Sequence, residues 1–261
     1  MAGPVAPTGR RPGGPTHLVA SLLDLVIPGG CAGCGAVERL WPGVCGSCAD
    51  AVTRLRPGPT RPDPAPPGLP PCAALGEYQG VLRELVLAYK DRGRYRLSRP
   101  LGRLLAQVVA TLTAGPVALV PVPDSPAAAR ARHGDHMWRL ARPAAAALRQ
   151  AGTEVALCRV LRAGPRPDSA GLGAAARAAH AAAALRVRST RAAGLRRWQR
   201  RTGGSVIVLD DVVTTGSTIA AAAHRLAEAG VAVSGAAVLA ATARTGHGRA
   251  GGGSVRSAHG G

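Results

Sequence analysis

Phenylalanine is absent from the chain, and aromatic residues make up only 2% of it. A core so poor in large rings has to be closed mainly by Leu, Val and Ala, with helices in tight contact. The same shortage argues against extensive base stacking on a nucleic-acid strand. Lysine is almost missing as well: Lys90 is the only one among 33 basic residues. Acids number only 14, which leaves a formal net charge of +19. The preference for Arg over Lys, with abundant Ala, Gly and Pro, matches GC-rich coding. Coding bias does not explain the shortage of acids, which suits polyanionic partners: phosphates, pyrophosphate or nucleic acid. No G-x-x-x-x-G-K-[ST] string occurs, so a Walker-type nucleotide loop is excluded. Ser-His-Asp order and H-E-x-x-H are also missing. No stretch is long enough to span a bilayer. Residues 18–27 are apolar behind Arg10 and Arg11, but Asp24 interrupts them. Val19, Leu22, Leu23 and Val26 fall at helical spacing, so the segment reads as a short amphipathic helix, not an export signal. A cytoplasmic protein without membrane insertion is expected.

The 261 residues, 46% of them apolar, suffice for one sizeable core and a small module. Residues 1–17 are rich in Pro, Gly and Arg and read as a disordered N-terminus. Residues 18–55 hold paired cysteines, and 56–71 are proline-dense, a stiff linker that cannot be helical. Residues 72–242 form the main domain, and 243–261 are a Gly/Ser/Arg/His tail expected to be mobile. Within the main domain, apolar helical stripes run through Val81, Leu82, Leu85, Val86 and Tyr89, and through Leu97, Leu101, Leu104, Leu105, Val108 and Leu112. A third runs through Met137, Leu140, Ala144 and Leu148, with Pro143 expected to bend it. A fourth runs through Ile219, Ala222, Ala223 and Leu226, with Gly230 placed to cap it. Buried strands are expected over 117–122, 155–161, 205–209 and 231–239. This alternation predicts an α/β fold, a parallel sheet with helices on both faces.

The most informative stretch is residues 206–218. A hydrophobic strand ends in Asp210 and Asp211, a hydroxyl-rich turn follows (Thr214, Thr215, Gly216, Ser217, Thr218), and a helix begins. Ligands of open α/β sheets sit beyond the carboxyl ends of the strands. Free N–H groups at a helix start bind anions, the hydroxyls add donors, and Gly216 permits close backbone approach. Paired carboxylates accept hydrogen bonds from adjacent sugar hydroxyls. The site suits a phosphorylated ribose.

Four of six cysteines form two C-x-x-C pairs, Cys31 with Cys34 and Cys45 with Cys48. They are separated by a short Gly-rich hairpin that includes Trp41. Four thiolates suit tetrahedral Zn²⁺ in a closed, structural site, and so small a module would depend on its metal. Two local disulfides or free thiols are the alternative. Cys72 and Cys158 lack partners at ligand spacing and read as buried fillers. Arg39 and Trp41 offer little for nucleic acid.

Residues 206–218 resemble the 5-phosphoribosyl-1-pyrophosphate (PRPP) signature of type I phosphoribosyltransferases. The resemblance implies that Asp210 and Asp211 hold the ribose hydroxyls, that residues 214–218 hold the 5′-phosphate, and that Mg²⁺ accompanies PRPP. Three further features are similar to the competence-associated ComF family: the strand and proline turn over 119–125, the string Arg132-His133-Gly134-Asp135-His136, and the cysteine pairs ahead of the domain. Tyr78, Gly80 and the helix ending at Lys90 resemble it too. The resemblance spans roughly 20–242 and implies a type I phosphoribosyltransferase fold behind a zinc-ribbon-like module. It implies Pro123, Asp124 and Ser125 near pyrophosphate, with Arg130 or Arg132 as charge partner. The family's Arg-Gly-Phe-Asn-Gln-like string is altered here at 132–136, and its Thr and Gln in the mobile loop are replaced over 166–172. Both changes bear on the second substrate.

Two functions follow from these readings. One is transfer of phosphoribosyl from PRPP to an unknown acceptor with loss of pyrophosphate. The other is a non-catalytic PRPP binder that serves DNA uptake, engaging single-stranded DNA or a competence helicase. The run from Arg186 to Arg201, with Trp198 in it and no acid, reads either as a strand-binding strip or as a solvated loop. His133, His136, His180 and His224 are scattered and read as surface or packing residues.

Overall fold

The computed structural model describes residues 30–37, 43–164 and 183–242. The expected helix over 18–27, Arg39 and Trp41, the loop 166–172, His180 and both terminal segments lie outside the described residues. In chain order the strands are Gly58–Thr60 (β1), Cys72–Glu77 (β2), Val117–Pro121 (β3), Val155–Leu157 (β4), Leu161–Ala163 (β5), Leu185–Val187 (β6), Ser205–Val213 (β7) and Gly235–Ala241 (β8). The helices are Gly46–Thr53 (α1), Gly80–Lys90 (α2), Ser98–Ala110 (α3), Pro126–Ala131 (α4), His136–Gln150 (α5), Ser189–Thr202 (α6) and Ser217–Glu228 (α7). The main sheet has the order β1-β2-β8-β7-β3-β4; every neighbouring pair is parallel except the edge pair β1 and β2, and β5 pairs with β6 as a separate antiparallel ribbon.

Alternation along the strands sorts the core into two layers. Leu119, Ile207, Leu209 and Leu239 point to one face, with Leu85 of α2, Leu101 and Leu105 of α3 and Leu140 of α5. Val120, Val206, Val208 and Val238 point to the other, with Leu195 of α6 and Ile219 and Leu226 of α7. A period of two on strands buried on both faces is what a parallel sheet requires. Small residues supply the close contact that missing rings demand. A Cβ on Gly102 of α3 would lie 2.6 Å from Pro143 Cγ and 2.9 Å from the Leu140 carbonyl of α5. Pro143 sits inside α5 without ending it.

Several expectations are corrected. The strand expected over 155–161 is two short strands in different sheets, β4 and β5. The last strand begins at Gly235 rather than 231, and β7 runs on through both aspartates to Val213. The proline-dense linker contributes the edge strand β1, where proline's missing N–H costs no ladder bond. β2 was not anticipated, because Ala-Ala-Leu-Gly carries little strand signal. The arginine-rich connection is mainly the helix α6. Its Trp198 packs over Gly204 and donates from Nε1 to Glu154 at 3.3 Å, so the indole is committed to the fold. Among the described residues, no helix is long and apolar enough to cross a membrane.

Candidate functional site

A cleft of about 400 Å³ opens beyond the carboxyl ends of β3 and β7. Five of its contributors were expected from the sequence around two turns: Pro123, Asp124 and Ser125 after β3, and Asp210 and Asp211 on β7. Thr214, Thr218 and Arg132 line it as well. Thr215, Gly216 and Ser217 line a small adjoining hollow that also touches Asp210, Thr214 and Thr218. The expected residues therefore converge on one place, except the cysteines, which form a separate centre.

Local chemistry explains the turns. Gly216 has φ +74° and stands as N-cap of α7, with no side chain capping that helix. The Ser217 N–H reaches the Thr215 hydroxyl at 3.4 Å, and the next N–H groups, of Thr218 and Ile219, are left for solvent or a ligand. Thr215 and Ser217 hydroxyls lie 3.0 Å apart. A Cβ at Gly216 would sit 3.1 Å from both Leu69 and Pro62, so the proline-dense segment braces the back of the turn. On the other side, Ser125 is spent as the N-cap of α4, accepting from the Ala128 N–H at 3.2 Å. Asp135 caps α5 through the Trp138 N–H at 2.9 Å.

Two residues were missed in the sequence. Lys90, at the end of α2, places Nζ 2.6 Å from Asp211 Oδ2. His136, at the start of α5, was read as surface or packing; it is buried and bridges two carboxylates. Its Nδ1 is 2.6 Å from Asp124 Oδ2 and its Nε2 is 3.1 Å from Asp211 Oδ2. Its backbone N–H also donates to Asp124 at 2.8 Å, and the Tyr89 hydroxyl donates to its carbonyl at 2.6 Å. Lys90 carried a usable signal: a lone lysine in a chain whose coding favours arginine. His136 carried none beyond its place in the altered 132–136 string. Arg132 is held by Asp124 Oδ1 at 2.8 Å and Asp91 Oδ1 at 3.0 Å.

The charges are strongly coupled. Burial alone would lower the His136 pKa, but its bonds to Asp124 and Asp211 raise it to about 9, so it is a cation at neutral pH and donates from both nitrogens. Burial opposes ionisation of Asp211 too, yet His136 and Lys90 hold its carboxyl well below the usual range. Asp124 is likewise drawn down against burial by His136 and Arg132. Asp210 moves the other way: burial and the charge of Asp211 push it up to about 7. Asp211 accepts on Oδ2 from the two cations and on Oδ1 from the Val212 N–H at 2.8 Å. Asp210 accepts on Oδ1 from the Asp211 N–H at 2.9 Å, and its Oδ2 has no partner among the described residues. The arrangement thus offers one free carboxylate oxygen, an anion-ready turn and a lysine in one cleft.

Residues 144–250 match the family model of the phosphoribosyl transferase domain. The match takes in Asp210, Asp211 and the turn that follows, and it supports PRPP binding at the level of that family. It leaves out Lys90, Asp124, Arg132 and His136, which the fold brings to the matched residues from earlier in the chain, and it leaves out the four cysteines. No curated protein matches the chain.

The four-cysteine centre lies at the other end of α2. The sulfurs of Cys31, Cys34, Cys45 and Cys48 all fall within 4.8 Å of one another. Tetrahedral zinc with bonds of about 2.3 Å needs sulfurs about 3.8 Å apart, so the set is compatible with a structural zinc. Backbone N–H groups of Gly33 and Cys45 point at Cys31 Sγ, at 3.3 and 3.2 Å. Burial works against the Cys31 thiolate, but these N–H groups outweigh it and bring the thiol to about 6. Burial and the neighbouring thiols push Cys48 up, which a metal cation would reverse. The module docks on α2: a Cβ on Gly33 would lie 2.9 Å from Cys48 Sγ and 3.0 Å from Val81 Cγ1. Arg94 Nη1 reaches back to the Gly30 carbonyl at 2.5 Å.

Proposed function

We propose that this protein is a ComF-like phosphoribosyltransferase. It binds PRPP in the cleft between the β3 and β7 turns and transfers the phosphoribosyl group to an acceptor nucleophile. The 5′-phosphate sits on the turn over residues 214–218, and Asp210, through its free Oδ2, accepts from the ribose hydroxyls. A Mg²⁺ bound together with PRPP would offset the charge of the pyrophosphate. Lys90 and Arg132, with donors left over after their carboxylate bonds, face that pyrophosphate; Pro123 and Asp124 shape its turn. In the reaction the bond from C1 to the pyrophosphate oxygen breaks, its electron pair leaves with pyrophosphate, and the acceptor forms the new bond to C1. The residues contribute by positioning and by fixed charge. His136 keeps Asp211 ionised and in place.

The observation that carries this reading is the unpartnered Asp210 oxygen beside a helix start whose glycine N-cap has no side chain to cap it, in one cleft. A non-catalytic PRPP binder that serves single-stranded DNA or a helicase is the second reading. It is favoured by one fact: every other ionisable group that lines the cleft, except Tyr78, is held in an ion pair. Calorimetry with Mg-PRPP on metal-loaded protein, then pyrophosphate release across a panel of free bases, separates the two. The expected result is PRPP binding lost in Asp210→Asn with Thr218→Val, and release with at least one base. PRPP binding without release on any base supports the second reading. Parental PRPP affinity in the double variant overturns the site.

A further inference from the structure

A second cleft lies away from these turns. It has a volume of about 540 Å³ and is formed by β6, α6 and the far end of α7. Its lining residues are Arg186, Val187, Ser189, Ala192, Arg196, Arg225, Glu228 and Ala229. None of them lines the cleft beyond β3 and β7. The volume falls in the range of small-molecule sites.

The arginines are held by the fold, each through one terminal nitrogen. Arg186 Nη1 donates to the Ala183 and Leu185 carbonyls at 2.7 and 2.9 Å. Arg196 Nη1 donates to the Ala229 carbonyl at 3.2 Å, and its side chain lies over Gly230. Arg225 Nη1 donates to Glu228 at 2.9 Å. The second terminal nitrogen of each has no partner among the described residues. Three guanidinium groups, anchored on one side and open on the other, surround one hollow with a single carboxylate among them. Guanidinium forks match phosphate oxygens, and anchoring removes much of the entropy lost on binding. A solvated charged face needs neither a hollow nor shared anchoring.

We propose that this cleft is a second anion site, which takes a small phosphorylated ligand bearing at least two negative charges on Arg186, Arg196 and Arg225. No aromatic residue lines it, which favours a compact phosphorylated ligand over a nucleic-acid strand that would need stacking platforms. The site is independent of the PRPP reading. It does lie on the helix that starts at the phosphate turn, since α7 runs from Ser217 to Glu228.

The test uses full-length, metal-loaded protein and inorganic tripolyphosphate as probe, followed by calorimetry at fixed salt. Arg186→Gln with Arg225→Gln removes two open forks while sparing Arg196, which ties down the end of α7. Arg103→Gln with Arg142→Gln, both exposed and distant from the lining, removes the same charge. Lys90→Ala reports on the other cleft. The expected result is a loss of at least tenfold in tripolyphosphate affinity in the Arg186/Arg225 variant, reproduced when that variant is made on a Lys90→Ala background in which the other cleft is weakened, with near-parental affinity in the charge-matched control. An equal loss in the two arginine variants means general surface attraction and overturns the proposal. So does a loss confined to Lys90→Ala. An oligothymidylate that displaces the probe with an affinity rising with strand length assigns the cleft to nucleic acid and overturns it as well.

Discussion

Replacement of His136 by Gln tests the coupling of the charges in the β3/β7 cleft. The imidazole contacts Asp124 and Asp211, and both partners are almost fully buried. Its pKa rises from 6.5 to about 9 in the folded protein. At about 1.36 kcal/mol per unit, that difference is worth roughly 3 kcal/mol. The sign follows from where the proton binds. Below pH 6.5, His136 is charged in both folded and unfolded chains, and the stabilisation is complete. Between 6.5 and 9 the unfolded chain loses its proton first and the stabilisation declines; above 9 it is gone. Asp210 titrates near 7 and Cys31, without metal, near 6, so the parental curve alone would mix several groups. The gap between parental and His136→Gln protein isolates the histidine. Urea unfolding of metal-loaded protein at pH 6 and pH 9.5 should show the variant less stable by roughly 3 kcal/mol at the lower pH, with most of that gap closed at the higher one. A gap of the same size at both pH values would refute the claim that a charged imidazole holds the two aspartates.

Two further outcomes are expected. Gly216→Ala places a Cβ at φ +74° and 3.1 Å from Leu69 and Pro62, which should cost about 1–2 kcal/mol and weaken PRPP binding about tenfold by calorimetry, with Leu69→Ala in the same chain recovering part of the loss. Metal analysis should find a single zinc bound per chain, and its removal by chelator should speed hydrogen exchange in α1 and α2 and weaken PRPP binding, since α2 carries Lys90 at its end.

What could be read from the sequence was whatever is encoded locally. Asp210, Asp211 and the turn after them are contiguous, so their order alone suggested the chemistry. The cysteine pairs were legible for the same reason. Lys90 and His136 were not, because each is brought to Asp211 by packing of α2 and α5, from 121 and 75 positions earlier in the chain. The Tyr89 hydroxyl on the His136 carbonyl joins these two helices, and no spacing rule announces such a bond. β2 escaped notice because its strand character comes from its parallel pairing with β8 and not from Ala73 and Ala74 themselves. The arginine run over 186–201 misled in the other direction. Its composition suggested a solvated connection, but Ala192 and Leu195 give α6 a buried side.

The sheet order has a consequence for how the chain is made. β2 lies between β1 and β8, so among the described residues its only parallel neighbour is β8, beginning at Gly235. A nascent polypeptide that has emerged through its acidic strand has every charged group of the β3/β7 cleft, yet it still lacks the strand that ties the cysteine-bearing end to the rest. Such a long closure slows folding and leaves an open β-edge on the growing chain until β8 has emerged.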